Sequence, residues 1–249
     1  MTAPIVVKVS GSELDDPAYL QNFAQAIHAL NAPTVIVHGG GAEISSLQKS
    51  LDIQPQYLNG VRITDAQSLR LVEMVLCGTV NKRVVRALLA AGLDALGISG
   101  VDRGLVRARK MPNPTRDMGF TGEVAAVRAE VLTRLLDEGI TPVVAPVCLG
   151  EDSSYNVNAD HVAGAIAAAI SASRTVFLTN VSGVLVGGQV AATLNRAEVN
   201  ALIDDGTIFA GMIPKVQTAL HALTMGVQQA VITDLAGLQA GGGTVFRAE

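Results

Sequence analysis

Short β-branched runs recur along the chain with helix-length segments between them, and this alternation limits the possible folds more than any other feature. Ile5-Val-Val, Thr34-Val-Ile-Val37, Thr141-Pro-Val-Val-Ala145 and Thr175-Val-Phe-Leu178 have the length and residue type of buried strands. Shorter strands are predicted at 95–98, 229–233 and 244–246. Leu20, Phe23, Ala24, Ile27 and Leu30 fall at helical spacing and predict a helix over 15–30. Further helices are predicted at 42–51, 129–138, 158–171, 196–204 and 214–225. The stretch 65–92 predicts one long helix or two, broken near Gly78 and Asn81-Lys82. The expected fold is α/β, a three-layer sandwich around a largely parallel central sheet, with β-hairpin excursions at 54–64 and 105–127.

With 249 residues, of which 49% are hydrophobic, the chain can fill a sizeable core. A net charge of −4 and the lack of basic clusters beyond 103–110 argue against nucleic acid as a partner. Cys77 and Cys148 are far apart, sit in apolar sequence and form no CxxC spacing, so they are expected to be reduced thiols. No signal peptide pattern precedes the first strand, and the apolar stretch 162–170 is too short to span a bilayer. A cytoplasmic protein is expected. The polar stretch 151–155 is the expected divide between an N-terminal lobe (1–150) and a C-terminal lobe (151–249).

Lys8 is out of place in its apolar strand, because burial of an unpaired ammonium is costly. It either meets an anion or exits to water at Ser10-Gly11. His38-Gly-Gly-Gly41 lies between a strand and a helix, where glycines let a ligand approach the backbone and helix amides can hold an anion. The alternative is a tight turn. Neither a dinucleotide fingerprint nor a Walker A loop fits, since Ile44 replaces the last glycine and no Gly-Lys pair occurs. Arg62 can grip a carboxylate with paired hydrogen bonds or simply lie in solvent. Asn158 and Asp160 suit a helix N-cap and first turn, whereas Asn156 precedes the cap and has no such reason to be there. Lys215 follows Pro214 at a helix start, where a cation opposes the helix dipole unless an anion sits between them.

Taken in order, Lys8-Val-Ser-Gly11, His38-Gly-Gly-Gly41, Asn59-Gly-Val-Arg-Ile-Thr64, the stretch from Glu73 to Lys82, Asn156-Val-Asn-Ala-Asp160, Asn180-Val-Ser-Gly-Val184 and Gly211-Met-Ile-Pro-Lys215 resemble the amino acid kinase family, and within it the acetylglutamate branch. The resemblance implies ATP-dependent phosphorylation of the γ-carboxylate of N-acetyl-L-glutamate to an acyl phosphate in arginine biosynthesis, with Mg2+ carried mainly by the nucleotide. It implies that Lys8 and Lys215 stabilise the phosphoryl group in transfer and that Asp160 organises both lysines. Gly11, Gly40 and Gly41 would donate amides to phosphate or substrate, while Arg62 and Asn156 bind the substrate. Asn180, Val181, Ser182, Gly183, Val184 and Leu185, with Thr207, Ile208 and Phe209, would line the nucleotide site. Two departures stand out. Ser10 replaces a usual glycine, and Asn180 replaces a usual aspartate. Asparagine there also resembles related kinases of carrier-linked 2-aminoadipate in lysine biosynthesis, which is the alternative reading. A catalytically silent nucleotide-binding or regulatory subunit is a third, opposed by retention of the Lys8, Asp160 and Lys215 trio. The first strand begins within a few residues of the start, so the N-terminal helix of the family's arginine-inhibited hexamers is not expected. An arginine-insensitive homodimer is expected instead.

Overall fold

A computed structural model describes residues 2–248. Eleven strands form one sheet. Its central run is Ala230–Thr233, Arg174–Leu178, Ile5–Val9, Thr34–His38 and Thr141–Leu149, all parallel. Thr244–Phe246 joins one side antiparallel and Ala95–Gly100 joins the other side parallel. The far end of Thr141–Leu149 carries the excursion, in which Val106–Lys110 and Thr121–Val127 pair antiparallel.

Strand alternation sorts the side chains into two cores. Ile5, Val7, Val9, Ile36 and Val176 pack beneath the helices Pro17–Ala29, Gly41–Ser50 and Asn81–Ala90. Val6, Val37, Phe177 and Ile232 pack on the other face, against Ala159–Ala169 and Met212–Thr224. The result is the expected three-layer sandwich. Lys8 shares the parity of Val6, so it points to the face of these last two helices.

The chain leaves Ile5–Val9 toward Thr34–His38 on one side, while Arg174–Leu178 lies on the other. The carboxyl ends of strands diverging in this way open a crevice, which is where open parallel sheets bind ligands.

Several local expectations need correction. In the polar stretch 151–155, residues 151–153 bend without regular structure, whereas 154 and 155 already belong to a strand. Gly150 N–H donates to Ser153 O at 2.8 Å, and Ser154–Val157 returns as a strand antiparallel to Thr141–Leu149. Residues 65–92 hold no break: Ala66–Glu73 runs through a π-helical segment, Met74–Val80, directly into Asn81–Ala90. The Lys215 helix starts at Met212 rather than Pro214. At 54–64 the expected hairpin forms, and its turn is Asn59-Gly60 with φ of 49° and 79°, the pair that a two-residue hairpin turn requires.

Candidate active site

At the carboxyl end of the central strands, Lys8 Nζ meets Asp160 Oδ1 at 2.9 Å, the two side chains being 15% and 23% exposed. Asp160 lies in the first turn of its helix, behind the N-cap Asn158, whose Oδ1 accepts the Asp160 N–H at 2.7 Å. The carboxylate thus gains from the helix dipole as well as from Lys8. A cavity of about 460 Å3 opens over this pair, and Lys215, Asn180, Ser10 and Thr179 also line it. That volume suits a nucleotide-sized ligand. Lys215 has no ion pair among the described residues. Glu13 reaches the same cavity, and its carboxylate accepts from Tyr19 Oη at 3.3 Å. The sequence reading missed Ser12, Glu13, Thr179 and Thr218; none of them breaks a pattern as Lys8 does.

A second cavity of about 240 Å3 lies beyond the glycine loop, between Gly39, Gly40, Gly41, Arg62, Asn156 and the start of the Asp160 helix. Arg62 is 9% exposed and faces no carboxylate among the described residues. Its guanidinium donates to Gln48 Oε1, to Ser45 Oγ at 2.7 Å and to Gly41 O at 3.1 Å, and it stacks over the Tyr57 ring at 4.9 Å. Burial lowers its pKa from the ordinary arginine value, yet the group stays charged. The neutral partners fix the fork without cancelling its charge. Asn156 Nδ2 donates to Thr64 Oγ1 at 3.0 Å, which orients that amide at the rim.

Gly11 holds the two cavities against each other. A Cβ there would lie 2.4 Å from the nitrogen and Cα of Gly40, so only glycine permits this backbone approach. The residues expected around the nucleotide are placed unevenly. Asn180 lines the Lys8 cavity. Val184 and Ile208 turn their side chains into the core, with 1% and 2% exposure. Val181 packs half-buried on that core, and Gly183 lies against Val190 and Thr244. Leu185 and Phe209 stand out as apolar side chains 53% and 69% exposed. Ser182 is exposed, and the Thr207 N–H is held by Asp205 Oδ1 at 2.9 Å.

His38, wholly buried under the glycine loop, has its pKa pushed down from 6.5 to about 4, chiefly by burial. Between these values the unfolded chain takes up the proton first, so the contribution is complete above pH 6.5 and is lost as pH falls toward 4. Wild-type protein is expected to lose up to about 3 kcal/mol more unfolding free energy between pH 7 and pH 4 than His38→Asn does. Denaturant titration at the two pH values measures this; equal losses would remove His38 from the acid response.

The chain matches known proteins over nearly its whole length. The model of the amino acid kinase family matches residues 3–234. The chain is 54% identical to the acetylglutamate kinase of Roseiflexus sp. (strain RS-1) over 97% of its own length and 93% of that protein's. It is 52% identical to the acetylglutamate kinase of Roseiflexus castenholzii (strain DSM 13941 / HLO8), covering 98% and 94%. Among solved structures it resembles smu.665 from Streptococcus mutans UA159, with a TM-score of 0.83, 29% identity and 100% of both chains covered. With the family model spanning the sheet from its first central strand to its last, the chain belongs to the amino acid kinase family.

Proposed function

We propose that this chain is an acetylglutamate kinase, which transfers the γ-phosphoryl group of ATP to the γ-carboxylate of N-acetyl-L-glutamate. The observation that carries the reading is the pairing of two unlike cavities across one glycine loop. One is a small site with a buried, carboxylate-free Arg62. The other is a larger site with Lys8, Asp160 and Lys215. The relatives of about half identity along nearly the whole chain carry that name.

In this reading Arg62 grips the α-carboxylate and Asn156 fixes the amide, which directs the γ-carboxylate past Gly40 and Gly41 toward the Lys8 cavity. One oxygen of that carboxylate forms a bond to the γ-phosphorus as the bond to the bridging oxygen breaks, and ADP leaves with the electron pair. The nucleophile is already ionised, so no general base is needed. Lys8 and Lys215 offset charge on the phosphoryl oxygens, and Asp160 holds Lys8 in place. Leu185 and Phe209 offer apolar faces for the base. Among the described residues no group of three metal-binding side chains occurs, and the lysine-rich cavity fits an ion that arrives on the nucleotide. Mg2+ would be held there by the nucleotide's own phosphates and would supply charge neutralisation during transfer. The N-terminal 150 residues supply Arg62 and the glycine loop, and the remainder supplies Asp160, Asn180 and Lys215.

Trapping the product with hydroxylamine tests the reading: N-acetylglutamate and ATP are expected to yield the hydroxamate. No hydroxamate from protein that binds ATP, or reaction of carrier-linked 2-aminoadipate alone, would overturn it.

A cytoplasmic homodimer completes the proposal. The two free thiols favour a reducing compartment. Ala95–Gly100 is a sheet edge, paired only with Thr141–Leu149 among the described residues, and Leu96 and Leu89 are 42% and 51% exposed. Lys82 Nζ caps Gly97 O on this edge at 2.9 Å, and the exposed leucines beside it favour a partner. Light scattering at micromolar concentration is expected to return the mass of two chains.

A further inference from the structure

Asn81 sits at the join of the π-helical segment and the following helix, and its side chain is 1% exposed. Its Nδ2 donates to Val143 O at 2.9 Å and lies 3.2 Å from His38 Nε2 and 3.3 Å from Ile98 O. Its Oδ1 accepts from Lys82 Nζ at 3.0 Å. The reverse placement of the amide would set an oxygen against two carbonyls, so this orientation is fixed by its neighbours. A hydrogen on His38 Nε2 would face this NH2, donor against donor, so Nε2 is bare. Its Nδ1 lies 2.9 Å from Gly39 O, which can only accept. One form of the ring meets both demands, the neutral tautomer with hydrogen on Nδ1.

That hydrogen bond draws the Gly39 carbonyl toward the face of the sheet where His38 and Asn81 lie. In a trans peptide the C=O and the following N–H point in opposite directions. The Gly40 N–H is therefore turned to the other face, where Lys8 and Asp160 stand. It has no acceptor among the described residues, and its nitrogen lies against Gly11, between the two cavities.

We propose that Asn81 and His38 are positioning residues, which set the Gly39–Gly40 peptide so that the Gly40 N–H is presented to an anionic oxygen passing between the two cavities. The identity of that oxygen rests on the kinase reading, whereas the peptide's orientation does not.

The first test is independent of activity. Nitrogen-15 NMR of labelled wild-type protein is expected to show His38 with hydrogen on Nδ1 and a bare Nε2; hydrogen on Nε2 overturns the proposal. The second test compares two substitutions. In His38→Asn the side-chain NH2 falls where Nδ1 was and can still donate to Gly39 O. In His38→Gln the amide falls near Nε2, with its oxygen toward the Asn81 NH2, and the donor at the Nδ1 position is lost. His38→Gln is expected to lower kcat/KM by roughly 100-fold, the usual effect of one lost oxyanion donor, and His38→Asn by less than about tenfold. Equal losses in the two variants, or none in His38→Gln, overturn the proposal. Should wild-type protein fail to phosphorylate N-acetylglutamate, the kinase reading falls while the tautomer measurement still decides the peptide's orientation.

Discussion

Lys8→Ala is expected to lower kcat by about three orders of magnitude while KM for either substrate moves only a few-fold, the pattern of a contact made mainly in the transition state. The size follows from what the substitution leaves behind. Lys8 and Asp160 form a 2.9 Å pair in a partly buried site. Without the ammonium, the Asp160 carboxylate faces the incoming phosphoryl oxygens with no ion-pair partner of its own. Two like charges about 4 Å apart repel by roughly 4 kcal/mol at the effective dielectric near a protein surface. The variant thus loses an attraction and gains a repulsion. A double variant, Lys8→Ala with Asp160→Asn, separates the two effects: removal of the orphaned carboxylate is expected to return at least about tenfold of the lost kcat. Single-turnover rates by rapid quench measure this without interference from product release. An unchanged kcat in Lys8→Ala removes the residue from the mechanism. A double variant no faster than Lys8→Ala removes the repulsion.

Lys8 was legible in the sequence because it violates its surroundings. A cation in a β-branched run has few physical excuses, and strand parity explains how it reaches the helices that carry Asp160 and Lys215. Arg62 could be named from its hairpin motif, but its lack of a counter-charge could not. That property depends on Gln48, Ser45 and Tyr57, which come from a helix and the facing strand and are unremarkable singly. The orientation of Asn81 was equally hidden, since two of its acceptors come from strands and carry no side-chain signal. Elements below a period's length also escaped. Leu185–Val186, Gln189–Val190 and Thr193–Leu194 are two-residue strands, and Leu235–Ala240 is a six-residue helix opened by an Asp234 cap. Periodicity needs more residues than these contain. The π-helical segment was hidden for a related reason: a local change of pitch leaves apolar spacing nearly intact, so it resembled a break at Gly78.

Arg62→Ala is expected to weaken binding of N-acetyl-L-glutamate by about 100-fold and that of ATP by much less. A factor of 100 corresponds to about 2.7 kcal/mol, the range for a hydrogen bond to a charged, desolvated group. The guanidinium is held by Gln48, Ser45 and Gly41 and lies over Tyr57, so it is ordered before a carboxylate arrives. Pre-ordering lowers the cost of binding, and the neutral partners leave the full charge for the ligand. Arg62→Lys should recover little. A lysine has three donors on one nitrogen and cannot reproduce the planar bonds to Gln48, Ser45 and Gly41 while also meeting a carboxylate. The substitution to alanine also leaves Gln48 with one lost partner in the core, although its Nε2 still donates to Ser68 Oγ at 2.9 Å. A stability loss of about 1–3 kcal/mol is expected from that orphaned acceptor. Calorimetric titration of each ligand, with thermal melting of the same samples, separates the two effects. Equal weakening of N-acetylglutamate and ATP would mean that the variant had lost its fold rather than one contact. Unchanged affinity for the acyl amino acid would place the substrate carboxylate elsewhere and leave Arg62 a structural brace between the hairpin and the glycine loop.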